Sequence, residues 1–99
     1  MKKIFISQPM NGKTDAQIQA KRKEVTMILK NYFEENIEVI DSIITDAPKN
    51  AHRLWYLGKS LELLSDADVA VFAKGWEKYR GCRIEHTCAV EYGIRIVEL

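Results

Sequence analysis

Lys3-Ile4-Phe5-Ile6-Ser7-Gln8-Pro9-Met10-Asn11-Gly12-Lys13-Thr14-Asp15-Ala16-Gln17 decides the fold. Its first five residues form an apolar run rich in β-branched and aromatic side chains, which predicts a buried strand ending at polar Ser7 and Gln8. Pro9 and the Asn11-Gly12 pair predict a turn. Thr14 followed three residues later by Gln17 fits a capping box, in which each side chain accepts from the other residue's backbone N–H. A strand, a short connection and a capped helix begin a β-α-β unit.

Outward from this segment the pattern repeats. Apolar Ile18, Val25, Leu29 and Tyr32 or Phe33 recur at helical spacing, with Lys21, Lys23, Lys30 and Glu34 largely on other faces, so the helix is expected to run to about Glu35. Ile37-Glu38-Val39-Ile40 predicts a second strand. Asp41 to Asn50, with Pro48, is the longest irregular stretch, and loops of that length often serve a site. Asn50 is expected to cap a second helix whose Leu54, Leu57, Leu61 and Leu64 form a stripe suited to a core. Val69-Ala70-Val71-Phe72 predicts a third strand, Ala73 to Arg80 a loop, Gly81 to Tyr92 a helix, and Ile94 to Val97 a fourth strand.

Strict β-α-β-α-β-α-β alternation selects a three-layer α/β fold, a flavodoxin-like parallel sheet of about four strands in the order 2-1-3-4 with helices on both faces. Strands 1 and 3 are then neighbours whose outgoing connections pass to opposite faces, opening a crevice at their carboxyl ends. That geometry singles out the Ser7 to Lys13 loop and the segment from Ala73 to Glu85.

Composition narrows the partners. Ninety-nine residues suit one domain spanning 1–99, and 46% hydrophobic with 29% charged residues is globular composition without a linker or repeat. A formal charge of +1 lacks the positive field that a nucleic-acid polymer requires. Cys82 and Cys88 match neither a redox pair nor a zinc spacing, so two reduced thiols are expected. With no signal-peptide core and no apolar run of spanning length, the expectation is a cytoplasmic protein without membrane partners.

Glu85 is the sharpest chemical signal. On a helix it shares a face with Gly81, Cys88, Ala89 and Tyr92, and partial burial there raises a carboxylate's pKa. A carboxylate on such a small-residue face can approach a sugar ring and attack or stabilise its anomeric carbon. The simpler reading, an acid near a helix N-terminus that complements the macrodipole or pairs with Lys74, Arg80 or Arg83, is favoured by the residues alone. Ser7, Gln8 and Asn11-Gly12 offer groups for sugar hydroxyls or a phosphate, although Gly12 is equally explained by turn geometry. Trp76 and Tyr79 could stack on a base; Trp55, Tyr56 and Trp76 could equally fill a subunit interface. Cys82, Glu85 and His86 have helical metal-ligand spacing but no firm third ligand, and neither a P-loop nor a GxGxxG motif is present, so no metal or cofactor is expected.

Three stretches carry a family resemblance: Ile4 to Met10, Ser65-Asp66-Ala67-Asp68-Val69-Ala70-Val71, and Gly81-Cys82-Arg83-Ile84-Glu85-His86-Thr87-Cys88-Ala89. Over nearly its whole length the chain resembles the nucleoside 2-deoxyribosyltransferase-like family, most closely its short uncharacterised members from bacteria and phages. The last stretch reproduces the family's Gly-x-x-x-Glu-x-x-x-Ala pattern, with Gly81 opening it. The resemblance implies that Glu85 is the nucleophile that attacks C1′ of a deoxyribose and forms a glycosyl-enzyme intermediate. Another base in a transferase, or water in a hydrolase, then resolves that intermediate. Three positions depart from the family. Ser60 stands where active members commonly carry an aspartate before a Leu-Glu-x-Leu run, Tyr79 where aspartate or serine touches the sugar or its phosphate, and Phe5 where strand 1 has a tyrosine. Serine cannot replace a carboxylic acid as proton donor.

The expected ligand is therefore a small nucleoside or nucleotide, bound by Phe5, Ser7, Gln8, Gly12, Ser60, Trp76, Tyr79 and Gly81 around catalytic Glu85. A catalytically silent nucleotide-binding module and a structural accessory protein making contacts through Trp55 and Tyr56 are the alternatives. Exposed sheet edges and a small core suggest a homo-oligomer, as does the resemblance.

Overall fold

The computed structural model describes residues 1–99. The elements are β1 (Lys2–Ser7), α1 (Asp15–Tyr32), β2 (Ile37–Val39), α2 (Arg53–Leu64), β3 (Val69–Phe72), α3 (Arg80–Glu91) and β4 (Arg95–Glu98), with a 3₁₀ turn over Trp76–Lys78. The four strands form one parallel sheet in the order β2-β1-β3-β4, the arrangement the alternating pattern predicts. No helix is long and apolar enough to cross a membrane.

Alternation along β1 separates the two faces of the sheet. Ile4 and Ile6 point to the face covered by α1, where they pack with Val25, Leu29, Phe33, Val69 and Val71. Phe5 points to the opposite face, with Ala70 and Phe72 from β3, Leu64 from α2 and Ala89 from α3. Both faces of β3 are thus covered, which is why its four residues are apolar without interruption. Each large aliphatic side chain sequestered this way contributes about 1.5–3 kcal/mol.

Local signals set the helix ends. The Thr14 hydroxyl accepts from the Gln17 N–H at 3.2 Å and the Gln17 side chain accepts from the Thr14 N–H at 2.9 Å, forming the expected capping box. Gly12 adopts φ +80° in the turn before it, a conformation open to glycine without steric cost. At the other end of the chain, Gly93 takes φ +72° after α3, letting the Ile94 N–H reach back to the Ala89 carbonyl at 2.9 Å.

Several expectations are corrected. Helix α1 stops at Tyr32 rather than Glu35, because Phe33 turns extended to bury its ring while its N–H still bonds to the Leu29 carbonyl. Asn50 does not cap α2; a turn places the Ala51 N–H on the Pro48 carbonyl, and the helix starts after His52, which makes no side-chain cap. Leu54, in the first turn of α2, leaves the core stripe and is 76% exposed, while Leu64 at the other end of the helix is buried.

Candidate functional site at the carboxyl edge of strands 1 and 3

Register brings the site together. Ser7 is level with Phe72 of β3, which is level with Glu98 of β4, so the last residues of three strands form one row. Ser7 shares the parity of Phe5 and therefore faces α3. Beyond β3 the chain crosses through the 3₁₀ turn and starts α3 at Arg80, placing Glu85 in its second turn above that row.

The Ser7 hydroxyl donates to Glu85 Oε1 at 2.6 Å. Both residues are buried, Ser7 at 2% and Glu85 at 8% exposure. Glu85 Oε2 makes no hydrogen bond within the chain and retains access to solvent. Burial pushes the Glu85 carboxyl above its ordinary value, and the Ser7 hydrogen bond opposes that shift by favouring the charged form. One oxygen is thus fixed while the other is available. Such a carboxylate can act as a nucleophile when ionised or donate a proton when neutral.

Of the simpler reading of Glu85, the ion pair is absent. Glu85 pairs with none of Lys74, Arg80 and Arg83, and the Arg83 guanidinium instead donates to the Glu77 carbonyl at 3.0 Å. The face it shares is also different from the expected one: Cys82, Glu85 and Ala89 are buried, whereas Gly81 is exposed and Tyr92 projects at 84% exposure. Cys82 lies one turn before Glu85 and approaches Ser7; burial pushes its thiol upward, the Ser7 hydroxyl opposes that shift and the neighbouring Glu85 charge adds to it.

The other expected residues divide into two groups. Gly12 and Tyr79 lie on the connections that leave β1 and β3, Tyr79 directly before α3, and Gly81 lies in its first turn with clear space where a Cβ would stand. Phe5 is only 1% exposed and packs in the core beneath Ser7, so it supports the site from below and is not at its surface. Gln8 has the opposite parity to Ser7 and turns to α1, donating to the Ile18 carbonyl at 3.0 Å and accepting from Arg22 Nε at 3.1 Å. Ser60 lies in the second turn of α2, half-buried and without a hydrogen bond to Ser7 or Glu85.

Trp76 is already stacked. Its ring lies 4.2 Å from that of His86, nearly parallel at 8°, and both contact Phe72. His86 is thus engaged with Trp76 and Phe72, its buried Nε2 lacking a hydrogen-bond partner and lying 3.7 Å from Glu98 Oε2. No three His, Cys, Asp or Glu side chains converge as a metal cluster.

Arg22 was not singled out by the sequence. Besides Gln8, its guanidinium donates to Ser42 Oγ at 2.8 Å and to the Ile40 carbonyl at 3.4 Å, joining α1 to both the end of β1 and the loop after β2. Burial lowers its pKa, partly offset by the Asp41 charge. The available signal was a cation in the Ile18, Val25, Leu29 stripe, at i+4 from Ile18 and i−3 from Val25.

A family model described as a domain of unknown function, DUF4406, matches residues 2–98. The chain belongs to the DUF4406 family. Among solved structures, this DUF4406 domain is similar to a conserved protein from Enterococcus faecalis V583, with a TM-score of 0.67 and 20% identity over 99% of its own length. It spans 62% of that protein, and at this identity the likeness concerns the fold. No curated protein matches the chain.

Proposed function

We propose that this DUF4406 domain cleaves or transfers the N-glycosidic bond of a nucleoside or nucleotide, with Glu85 as nucleophile. The observation that carries the reading is the Ser7–Glu85 hydrogen bond of 2.6 Å at the carboxyl edge of β1 and β3. It leaves one carboxylate oxygen held and the other open at the place where parallel α/β sheets receive ligands. The resemblance of the Gly81 to Ala89 segment to the deoxyribosyltransferase-like pattern supplies the substrate class.

In this mechanism ionised Glu85 attacks C1′ through Oε2 while the C1′–N bond breaks, and the bonding pair leaves with the base, which takes a proton from solvent. Water or a second base then attacks C1′ and returns the carboxylate. Ser7 orients the nucleophile and keeps it ionisable despite burial. Tyr79, directly before α3, and Gly81, in its first turn, are the residues assigned here to sugar or phosphate contact.

One observation favours a second reading. The single hydrogen bond of Glu85 is to a hydroxyl, and Ser60 supplies no carboxylic acid for the leaving base. A nucleotide-binding module without turnover fits that lack of a proton donor.

Chromatography of deoxynucleosides and their monophosphates, with and without a free acceptor base, separates these outcomes. Free base or exchanged nucleoside formed by the wild type and absent with Glu85→Gln supports glycosidic chemistry. Binding of a panel member without product, at high protein and long incubation, supports the silent module, and neither binding nor product rejects both.

A further inference from the structure

His86 is a half-buried titratable side chain that the glycosidic reading does not use. Three elements surround its ring. Trp76 of the 3₁₀ turn stacks on it, Phe72 of β3 meets it edge-on at 4.8 Å, and Glu98 of β4 stands off its Nε2. The 3.7 Å between Nε2 and Glu98 Oε2 is too long for a hydrogen bond, and no other group takes that place. A buried polar atom without a partner is destabilising, and native structures keep few of them.

A proton on His86 removes the mismatch. The imidazolium carries N–H groups at both ring nitrogens, so Nε2 becomes a charged donor facing a carboxylate. Closing the gap by roughly 1 Å gives the usual length of such a bond. Glu98 is free to make that movement, because its side chain is 56% exposed while its backbone is fixed level with Phe72 and the Leu99 N–H bonds to the Phe72 carbonyl at 2.9 Å. The same proton places a cation against the face of Trp76, where the near-parallel stack at 8° already holds the two rings together.

The other charges around His86 are occupied or turned to solvent. Glu77 and Lys78 of the turn are exposed and make no ion pair. On α3, Glu85 accepts from Ser7, Cys82 is buried beside Ser7, and Arg83 donates to the Glu77 carbonyl. On α2, which packs on α3, Lys59 and Glu62 pair with each other.

We propose that His86, Trp76 and Glu98 form a pH-sensitive clamp, in which protonated His86 bonds to Glu98 and grips the Trp76 indole, fastening the connection between β3 and α3 to the end of β4. Loss of the proton releases that connection. Tyr79 follows Trp76 on it, so the clamp sets the freedom of a residue assigned to ligand contact. The inference does not depend on the glycosidic reading, because no step of it involves the Ser7–Glu85 pair.

Two measurements on the full chain test the clamp across about pH 5–8, where histidine ordinarily changes charge. In a Trp55→Phe protein, whose remaining indole is Trp76, fluorescence should fall in one step as pH is lowered, since imidazolium stacked on indole quenches it. Adding His86→Gln should abolish the step. Amide exchange over residues 74–79 at about pH 5.5 should be roughly threefold slower in the wild type than in Glu98→Gln, the effect of a partly exposed ion pair, and at about pH 8 the two proteins should coincide. Glu98→Gln alters an exposed side chain, so this comparison stands even where His86→Gln disturbs packing. Absence of the fluorescence step, its survival in His86→Gln, or equal exchange in wild type and Glu98→Gln at both pH values overturns the clamp.

Discussion

Ser7 and Glu85, separated by 78 positions in the chain, are joined by a hydrogen bond of 2.6 Å between two buried side chains. The bond ties the end of a central strand to the second turn of α3. It fixes one carboxylate oxygen, and burial on the same side raises the energy of the charged form.

Stability should therefore depend on pH through Glu85. An acid whose folded pKa lies above its unfolded one stabilises fully below the unfolded value, and that contribution is lost as pH rises through the folded value. Denaturant melts of wild type and Glu85→Gln at a series of pH values should show the variant gaining on the wild type across this window and then holding a constant advantage. A difference that does not vary with pH contradicts the assigned environment.

Ser7→Ala removes the group that holds the Glu85 pKa down, so the carboxyl should titrate still higher. Carbon-detected NMR of the Glu85 side chain reads this directly. The loss of a buried hydrogen bond to a charged group should cost roughly 1–3 kcal/mol near neutrality. If turnover is found, its acid limb should move upward in the same variant.

Arg22→Met leaves the Gln8 side chain, Ser42 and the Ile40 carbonyl without their shared donor. A loss of roughly 1.5–3 kcal/mol is expected from broken bonds to a charged group. Amide exchange should accelerate over residues 40–44 in particular, because Arg22 is what fastens that stretch to α1. Uniform acceleration throughout the chain would assign Arg22 only a general packing role.

Thr14→Ala should lower stability by about 1 kcal/mol through loss of the capping box. Leu29→Ala should cost about 2–5 kcal/mol, since its side chain is fully enclosed under the sheet. Tyr92→Ala, on an exposed ring, should stay within about 0.5 kcal/mol. Equilibrium urea titrations rank the three, and a different order would contradict the described core.

The fold was legible because its signals are local or periodic. The run Ile4 to Ser7, the Thr14–Gln17 box, the stripe of Val25 and Leu29, and the uninterrupted Val69 to Phe72 each report how a short segment meets solvent or core. Their alternation leaves few arrangements for a parallel sheet, and the strand order follows. Leu54 shows the boundary of such reasoning, since periodicity identifies a stripe but not how far along the helix that stripe is buried.

For the site, sequence by itself singled out Glu85 as a candidate and determined the approach of the β1 and β3 ends, through a carboxylate at helical spacing and the topology of the crossovers. Tertiary structure decided which groups meet there. The direction of each side chain depends on strand parity and register, which turned Ser7 toward Glu85 and Gln8 toward Arg22. It also placed Phe5 beneath the site, stacked Trp76 on His86, and engaged Arg22 with the loop after β2. Contacts between segments far apart in the chain carry no local pattern, because their energy comes into being only when the packed layers bring the atoms within reach.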